Sequence, residues 1–573
     1  MTNIEKILSG QDIPLSHENV PGTIHLIDMA GNLKLKKEHG DIILQPQPSS
    51  NPNDPLRWSF RKKVLQFTLL WVWAFFLALS VGFTGPLWTE WVTVLNTNFK
   101  ELGNTQALIF LGLGLGCLFL QPTALKLGRR FVYIGCTILV IGALILGSQS
   151  NSIKFMYPFQ FLAGIAAAPV DSLVEISSTD VFFVHQRSTA ISLLILALYA
   201  GNYVGPVVSG YVNDGIGWRW TFYIQIIIYG VLLVIQIFLM EDTTFRREHR
   251  LSDLEEEILR GIKSRDTVLA AVKSGELTQD DLEKNKHLRT VVSINESHSS
   301  SSDAASVDES IPLRTYWQRR KFMELEYNDQ RSWFTIWYRP FLLANIPAFI
   351  WGGVLYGAQM MWLSLIAVTL SQVYSSEPYG WEANGVGLTN LSSFVGSVIG
   401  MFYGGYFVDW LVIKLARRNN GILEPEFRIW AMVVPTLINA AGILAYGLGA
   451  SNGAKWPIPV VVGQGFLGFA MSSSGAICLA YAVDSYERVA SEGLVLMLFT
   501  RNMIGMVFTF AFQPWLQRCG FNLTTWLLFM MSLVINGTFI LMIIYGKRFR
   551  RWSAAWYDKV ADPFYGEVFR TRE

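Results

Sequence analysis

Twelve mostly apolar stretches of about 20 residues follow one another along this chain, the length an α-helix needs to cross a bilayer. They fall at roughly 64–87, 105–125, 131–149, 156–180, 188–212, 219–240, 340–371, 386–411, 428–450, 457–482, 492–514 and 523–545. The third is short and interrupted by glycine. The first 63 residues are polar, with a Pro/Asn-rich patch from Pro46 to Pro55. They hold no apolar core near the start, so the first span itself is expected to direct insertion.

Residues 241–339 break the pattern. They open charged and helix-like (Leu254 to Lys286), pass through a serine-rich run from Ser297 to Ser302, and become charged again before Trp333. That composition predicts a largely disordered segment. Setting aside the head, this loop and the tail leaves 384 residues, or 32 per helix with its connection, which fits two compact bundles of six. The expected organisation is an N-terminal tail (1–63), a six-helix bundle (64–240), a central loop (241–339), a second six-helix bundle (340–546) and a C-terminal tail (547–573).

Basic residues near span ends set orientation. Arg57, Arg61, Lys62 and Lys63 precede the first span. Lys126, Arg129 and Arg130 fill the second connection, Lys414, Arg417 and Arg418 the eighth, and Lys547, Arg548, Arg550 and Arg551 open the tail. Odd-numbered connections carry mostly single basic residues such as Lys100 and Lys455. Both termini and the central loop are therefore expected in the cytosol. Asn522 then lies in a glycosylation sequon on the outer side, and the sequon at Asn295 is inaccessible.

Composition agrees and narrows the options. Of 573 residues, 51% are hydrophobic and only 16% charged, against about 25% charged in soluble domains. A net charge of +2 is too balanced for a nucleic-acid binder. Four cysteines show neither a disulfide framework nor metal-ligand spacing, and seven histidines lie mostly in polar segments. Neither a metal nor a cofactor is expected. No nucleophile elbow or phosphate loop is present, and Gly112, Gly114 and Gly116 only mimic a dinucleotide fingerprint because they lie inside a span. The reading is a polytopic all-α membrane protein and not an enzyme.

Connection two reads Leu125-Lys126-Leu127-Gly128-Arg129-Arg130, and connection eight runs from Gly405 to Asp409 and then Lys414 and Arg417-Arg418. The two occupy equivalent places in the halves and resemble the basic turn that the major facilitator superfamily repeats after the second helix of each half. In the first copy Gln121 stands at the glycine and Leu125 at the aspartate. The resemblance implies a latch in which basic side chains meet acids and helix C-termini in one conformation and release them in another. Plain inside-positive charge explains the same residues without a latch. Asp180, Asp409 and Asp484, at the same ends of their spans, are candidate latch acids.

The fifth span reads Tyr199-Ala200-Gly201-Asn202-Tyr203-Val204-Gly205-Pro206, followed by Gly217-Trp218-Arg219-Trp220. This is similar to the Gly-Pro motif of the drug:proton antiporter branch, where small residues four apart allow close helix approach. Gly396, Gly400 and Gly404 in the eighth span give a similar face. Further stretches resemble the fungal histidinol/polyamine permease group: Ile43 to Pro48 with Asn53 to Trp58, Asp180 to Phe183 with His185, Gly421 to Arg428, and Tyr545 to Arg548. The resemblance implies a twelve-span, two-bundle fold that moves organic cations across the plasma membrane.

Ionisable residues inside spans are costly and usually functional. Asp171 and Glu175 stand four apart on one face of the fourth span. Two adjacent carboxylates in a low dielectric resist double ionisation, so one is expected to hold a proton. Such a group carries either a proton or a substrate's positive charge. The resemblance implies an acid at Asp171, while Glu175 stands at a position that also admits an amide. The alternative is that one of them pairs with a nearby Arg or Lys and only holds the bundle. Arg501, beside Asn502, lies midway along the eleventh span. Its nearest acids in sequence are Asp484 and Glu492, and a structural pairing there is expected.

Aromatic and amide residues complete a candidate cation site: Tyr199 and Asn202, Gln464, and Trp351, Tyr356 and Gln359 on one broad face of the seventh span. A cation over an aromatic ring gains about 0.5–2 kcal/mol, yet most of the 78 aromatics must face lipid or pack. The expected function is a secondary carrier, acting as a monomer, that takes up a small cationic substrate, with protons as the candidate coupling ion. Two alternatives stand beside it: proton-driven export of drugs or secondary metabolites, and a nutrient transceptor signalling through the central loop.

Overall fold

The computed structural model describes residues 21–22, 24–25, 51–182, 184–244, 312, 314–323, 331–419 and 422–561. The Ile43–Pro48 motif, the helix-like and serine-rich parts of the central loop, Asn295 and the chain beyond 561 lie outside them. Residues 51–57 group with 312 and 314 as a small separate unit. There the Asp54 carboxylate accepts from the Leu56 amide (3.0 Å) and starts the turn Pro55–Arg57. The larger unit is helical.

Its helices follow the apolar stretches closely: α1 (Phe60–Gly82), α2 (Phe99–Leu127), α3 (Arg129–Ser148), α4 (Ile153–Val181), α5 (Val184–Ile216) and α6 (Trp218–Leu239). The second half holds α7 (Pro347–Tyr374), α8 (Ala383–Arg418), α9 (Glu426–Ser451) and α10 (Ile458–Ser485). The third stretch, despite its glycines, forms a 20-residue helix.

One final apolar stretch, Glu487–Ala561, runs for 75 residues. As one helix it would be about 110 Å long, several times the roughly 30 Å hydrocarbon core. The backbone leaves helical geometry at Gly520 (φ 71°, ψ 168°), a region open essentially to glycine alone. Met497 faces Gly352 and Ile504 faces Gly357, whereas Asn536 bonds Gln359 and Thr538 bonds Trp351. Residue number therefore rises along α7 before the break and falls along it afterwards. The stretch is two antiparallel helices, α11 (490–519) and α12 (521–561), which completes twelve spans in two sets of six.

Glycine faces bring helices into backbone contact within each half. A Cβ at Gly201 would strike the Phe75 carbonyl of α1, and one at Gly396 the Gly465 carbonyl of α10. Gly205 packs on Leu79, Gly400 on Phe469 and Gly404 on Ser473, while the Pro206 carbonyl meets Gly387 across the halves. The halves also meet where Gly103 of α2 faces Gln513 and Gly114 faces Asn502 and Met503 of α11.

Two segments outside the expected spans are ordered in part. The central loop contributes a turn at Gln318–Arg320 and a helix, Trp333–Leu342. The tail continues α12 to Ala561, where buried Arg550 pairs with Glu426 (2.6 Å) and the Trp556 indole donates to the Leu342 carbonyl (2.9 Å). A short antiparallel strand pair, Ile24–His25 with Ile422–Leu423, covers this end of the second half. Gly22 sits against the Asp484 carbonyl there, and Arg550 donates to the Pro21 carbonyl.

Candidate functional site

Asp171 and Glu175 are one turn apart on α4 and face the seam between the halves. Arg501 reaches the same seam from α11. It is 1% exposed, and its Nη2 donates to the Asp171 carboxylate. Its Nη1 donates to the Tyr356 hydroxyl (3.0 Å), and Nε and Nη2 donate to the Asn502 side-chain oxygen (3.3 and 3.2 Å). The guanidinium also lies 4.8 Å from the Tyr356 ring centre. The cation is thus held by a carboxylate, two neutral oxygens and a ring face, a combination that offsets its desolvation.

This cluster separates two cavities. The larger is lined by Gln106, Asn202, Tyr203, Ser364 and Asn390. The second lies toward the basic end and is lined by Gln121, Glu175, Ser472 and Ser491. Asp171, Tyr199, Tyr356 and Arg501 border both. Glu175 has no hydrogen bond or ion pair among the described residues, in contrast to Asp171. Two residues of the cavity walls, Ser364 and Gln121, have buried side-chain oxygens without a hydrogen-bond partner among the described residues.

The structure revises several sequence expectations. Arg501 pairs with Asp171 of the other half and not with Asp484 or Glu492. Glu492 instead holds Arg331 (3.2 Å) and Arg339 (3.3 Å), and Asp484 holds Arg428 (2.6 Å). Of the three residues expected on one face of α7, only Tyr356 lines the cavities. Trp351 turns toward α12, where its indole donates to Thr538 (3.0 Å). Gln359 is fully buried against Asn536 (2.8 Å), and Gln464 is fully buried and donates to the Tyr374 hydroxyl (3.2 Å). The face widens too far around a 3.6-residue helix for all three to share one cavity. Tyr199 and Asn202 do line the larger cavity.

At the basic end each half carries its own ion cluster. Arg129 pairs with Asp180 and donates to the Thr243 hydroxyl (3.3 Å). Arg130 donates to the carbonyls of Ile237 (2.7 Å) and Met240 (2.9 Å), satisfying the C-terminus of α6. In the second half Arg428 bridges Asp409 (2.6 Å) and Asp484. Arg428 was legible only as part of a family stretch, because its partners lie 19 and 56 residues away. Lys126 is half-buried at the end of α2, whereas Arg417 and Arg418 are exposed and make no ion pair among the described residues.

Among known proteins, the family model of the Major Facilitator Superfamily matches residues 70–491. The chain is 30% identical over 559 residues to an uncharacterized MFS-type transporter of Schizosaccharomyces pombe, covering 94% of each chain. It is 29% identical to the protein HOL1 of Saccharomyces cerevisiae, over 94% of this chain and 96% of that one. To the MFS transporter cpaT of Aspergillus oryzae it is 24% identical, over 87% and 90%.

Proposed function

The chain belongs to the major facilitator superfamily, and from that membership we propose a secondary carrier that takes small organic cations of the amine or polyamine type across the plasma membrane. Its two halves rock about the Asp171–Arg501 layer, so that the two cavities open in turn. Both termini face the cytosol, and the carrier works as a monomer.

The observation that carries this reading is the contrast between two carboxylates on one helix face. Asp171 is neutralised by Arg501, which leaves Glu175 as the cavity carboxylate without a counter-ion. Such a group holds a proton when the site is empty and a cation when it is filled. Tyr199 and Tyr356 add ring faces beside it. In a bilayer at −100 mV, one entering positive charge gains about 2.3 kcal/mol, so uptake of a multivalent amine is strongly driven even before protons contribute.

The test is uptake of a panel of labelled amines into transporter-deficient cells, with membrane potential and pH gradient collapsed separately. Accumulation that exceeds empty cells and falls when the potential is collapsed supports uptake. Accumulation below that of empty cells replaces it with proton-driven export. A transceptor would instead keep its downstream response in turnover-dead variants and lose it on deletion of 250–330.

A further inference from the structure

Residues 315–323 of the central connection (Thr-Tyr-Trp-Gln-Arg-Arg-Lys-Phe-Met) pack against the basic end of the first half, at the ends of α3 and α6. The Tyr316 hydroxyl donates to the Phe238 carbonyl (2.7 Å), and the Phe322 ring meets Phe131 edge-on at 5.0 Å. Arg130 donates to the carbonyls of Arg320 and Lys321, and Arg320 pairs with Glu241 (3.1 Å) while lying over the Tyr316 ring (3.6 Å). The segment is therefore seated at the level of the last turn of α6.

What it leaves uncovered is apolar. Trp317 is 64% exposed, and Tyr316, Phe322 and Met323 are exposed as well. They adjoin Ile237, Phe238 and Leu239, which are exposed on the perimeter of α6 where a membrane helix meets lipid. Charge accompanies this patch. Among the described residues Lys62, Arg130, Arg319, Arg320 and Lys321 gather beside Glu241 and Asp242, and Lys321 is exposed. Aromatic side chains at the headgroup level with lysine and arginine beside them are the combination that binds an anionic membrane surface.

We propose that residues 315–323 form an interfacial anchor for anionic phospholipid, with Trp317, Phe322 and Met323 at the acyl boundary and Arg319 and Lys321 at the phosphates. Because Arg130 holds the same segment, lipid bound here also steadies the basic-end cluster of the first half. The inference does not depend on which solute is carried.

The test uses the full chain with Cys519→Ser and Trp317→Cys, labelled with an environment-sensitive fluorophore and reconstituted into phosphatidylcholine vesicles with or without phosphatidylserine. The expected result is blue-shifted emission, with stronger quenching by brominated phosphatidylserine than by brominated phosphatidylcholine. Adding Arg319→Gln and Lys321→Gln should abolish that preference and retain the blue shift. Water-like emission in both vesicle types overturns the anchor, and equal quenching by the two brominated lipids overturns its anionic selectivity and with it the proposal. A label on Val94, exposed at the opposite end, supplies the reference for quenching that ignores headgroup charge.

Discussion

Asp171 on α4 and Arg501 on α11 stand 330 residues apart in sequence and form an ion pair across the seam between the two halves. A charge in either position would be costly alone, and each makes the other tolerable. Three consequences for the site and the fold can be measured directly, and a fourth follows from the break at Gly520.

Removing one member of a buried pair leaves the other uncompensated, at about 3–5 kcal/mol. Asp171→Asn should therefore lower thermal stability in detergent as well as stop transport. The double variant Asp171→Asn/Arg501→Gln should regain most of the stability without regaining transport. Size-exclusion fluorescence after heating reads the first, and cell uptake the second. A single variant as stable as the parent would show that the pair has no structural weight.

Glu175 has no partner to lose. Glu175→Gln should stay within about 0.5 kcal/mol of the parent, as substitutions away from strong contacts do. An amide neither takes up a proton nor carries charge, so the part of transport that responds to an imposed pH gradient should vanish. Uptake measured with and without that gradient checks it, and an unchanged response would move proton coupling to another residue.

Gly396 and Gly405 lie on the same helix but differ in surroundings. A Cβ at Gly396 meets the Gly465 backbone, whereas one at Gly405 meets nothing within 4 Å. Gly396→Ala should destabilise by roughly 1–3 kcal/mol through overpacking. Gly405→Ala should leave stability unchanged or slightly higher, since alanine favours the helix. Paired thermal midpoints decide the matter.

At Gly520 an added Cβ also meets nothing within 4 Å, yet the positive φ excludes an ordinary side chain. Gly520→Ala should cost about 1–3 kcal/mol through backbone strain alone. Asn at the same position should cost no less, because this ψ lies outside the left-handed helical region that asparagine tolerates. The same melting assay measures both variants.

The spans were legible because each needs a long apolar run, and the run is local information. Glycine faces were legible as spacing, although only the structure shows Gly201 against α1 and Gly396 against α10. The partner of Arg501 was not legible: sequence nearness favoured Asp484 and Glu492, and only the fold brings α4 beside α11. Type and helical phase make Trp351, Gln359 and Gln464 cavity candidates, but they cannot distinguish a face toward the seam from one toward a neighbouring helix of the same half. The ordered pieces at 315–323 and Trp333–Leu342 were hidden by their polar neighbours. Their apolar side chains are too few to register as spans, but enough to bind an existing surface.

The layer of Tyr199, Tyr356, Asp171 and Arg501 between the two cavities also bears on leakage. A carrier that idles in an energised membrane must not become a wire for potassium or hydronium. Here the layer that borders both cavities presents a buried guanidinium to any small cation, an electrostatic barrier of the kind that keeps protons out of water pores. On the function proposed above, the Asp171 carboxylate is already taken by Arg501, so a passing ion finds Glu175 alone without an ion pair among the described residues. An organic cation would have the Tyr199 and Tyr356 ring faces to engage there, and a bare hydrated ion few such contacts. Discrimination against the commonest ions of the cell would then rest on one buried guanidinium and on ring faces, without a filter of fixed width.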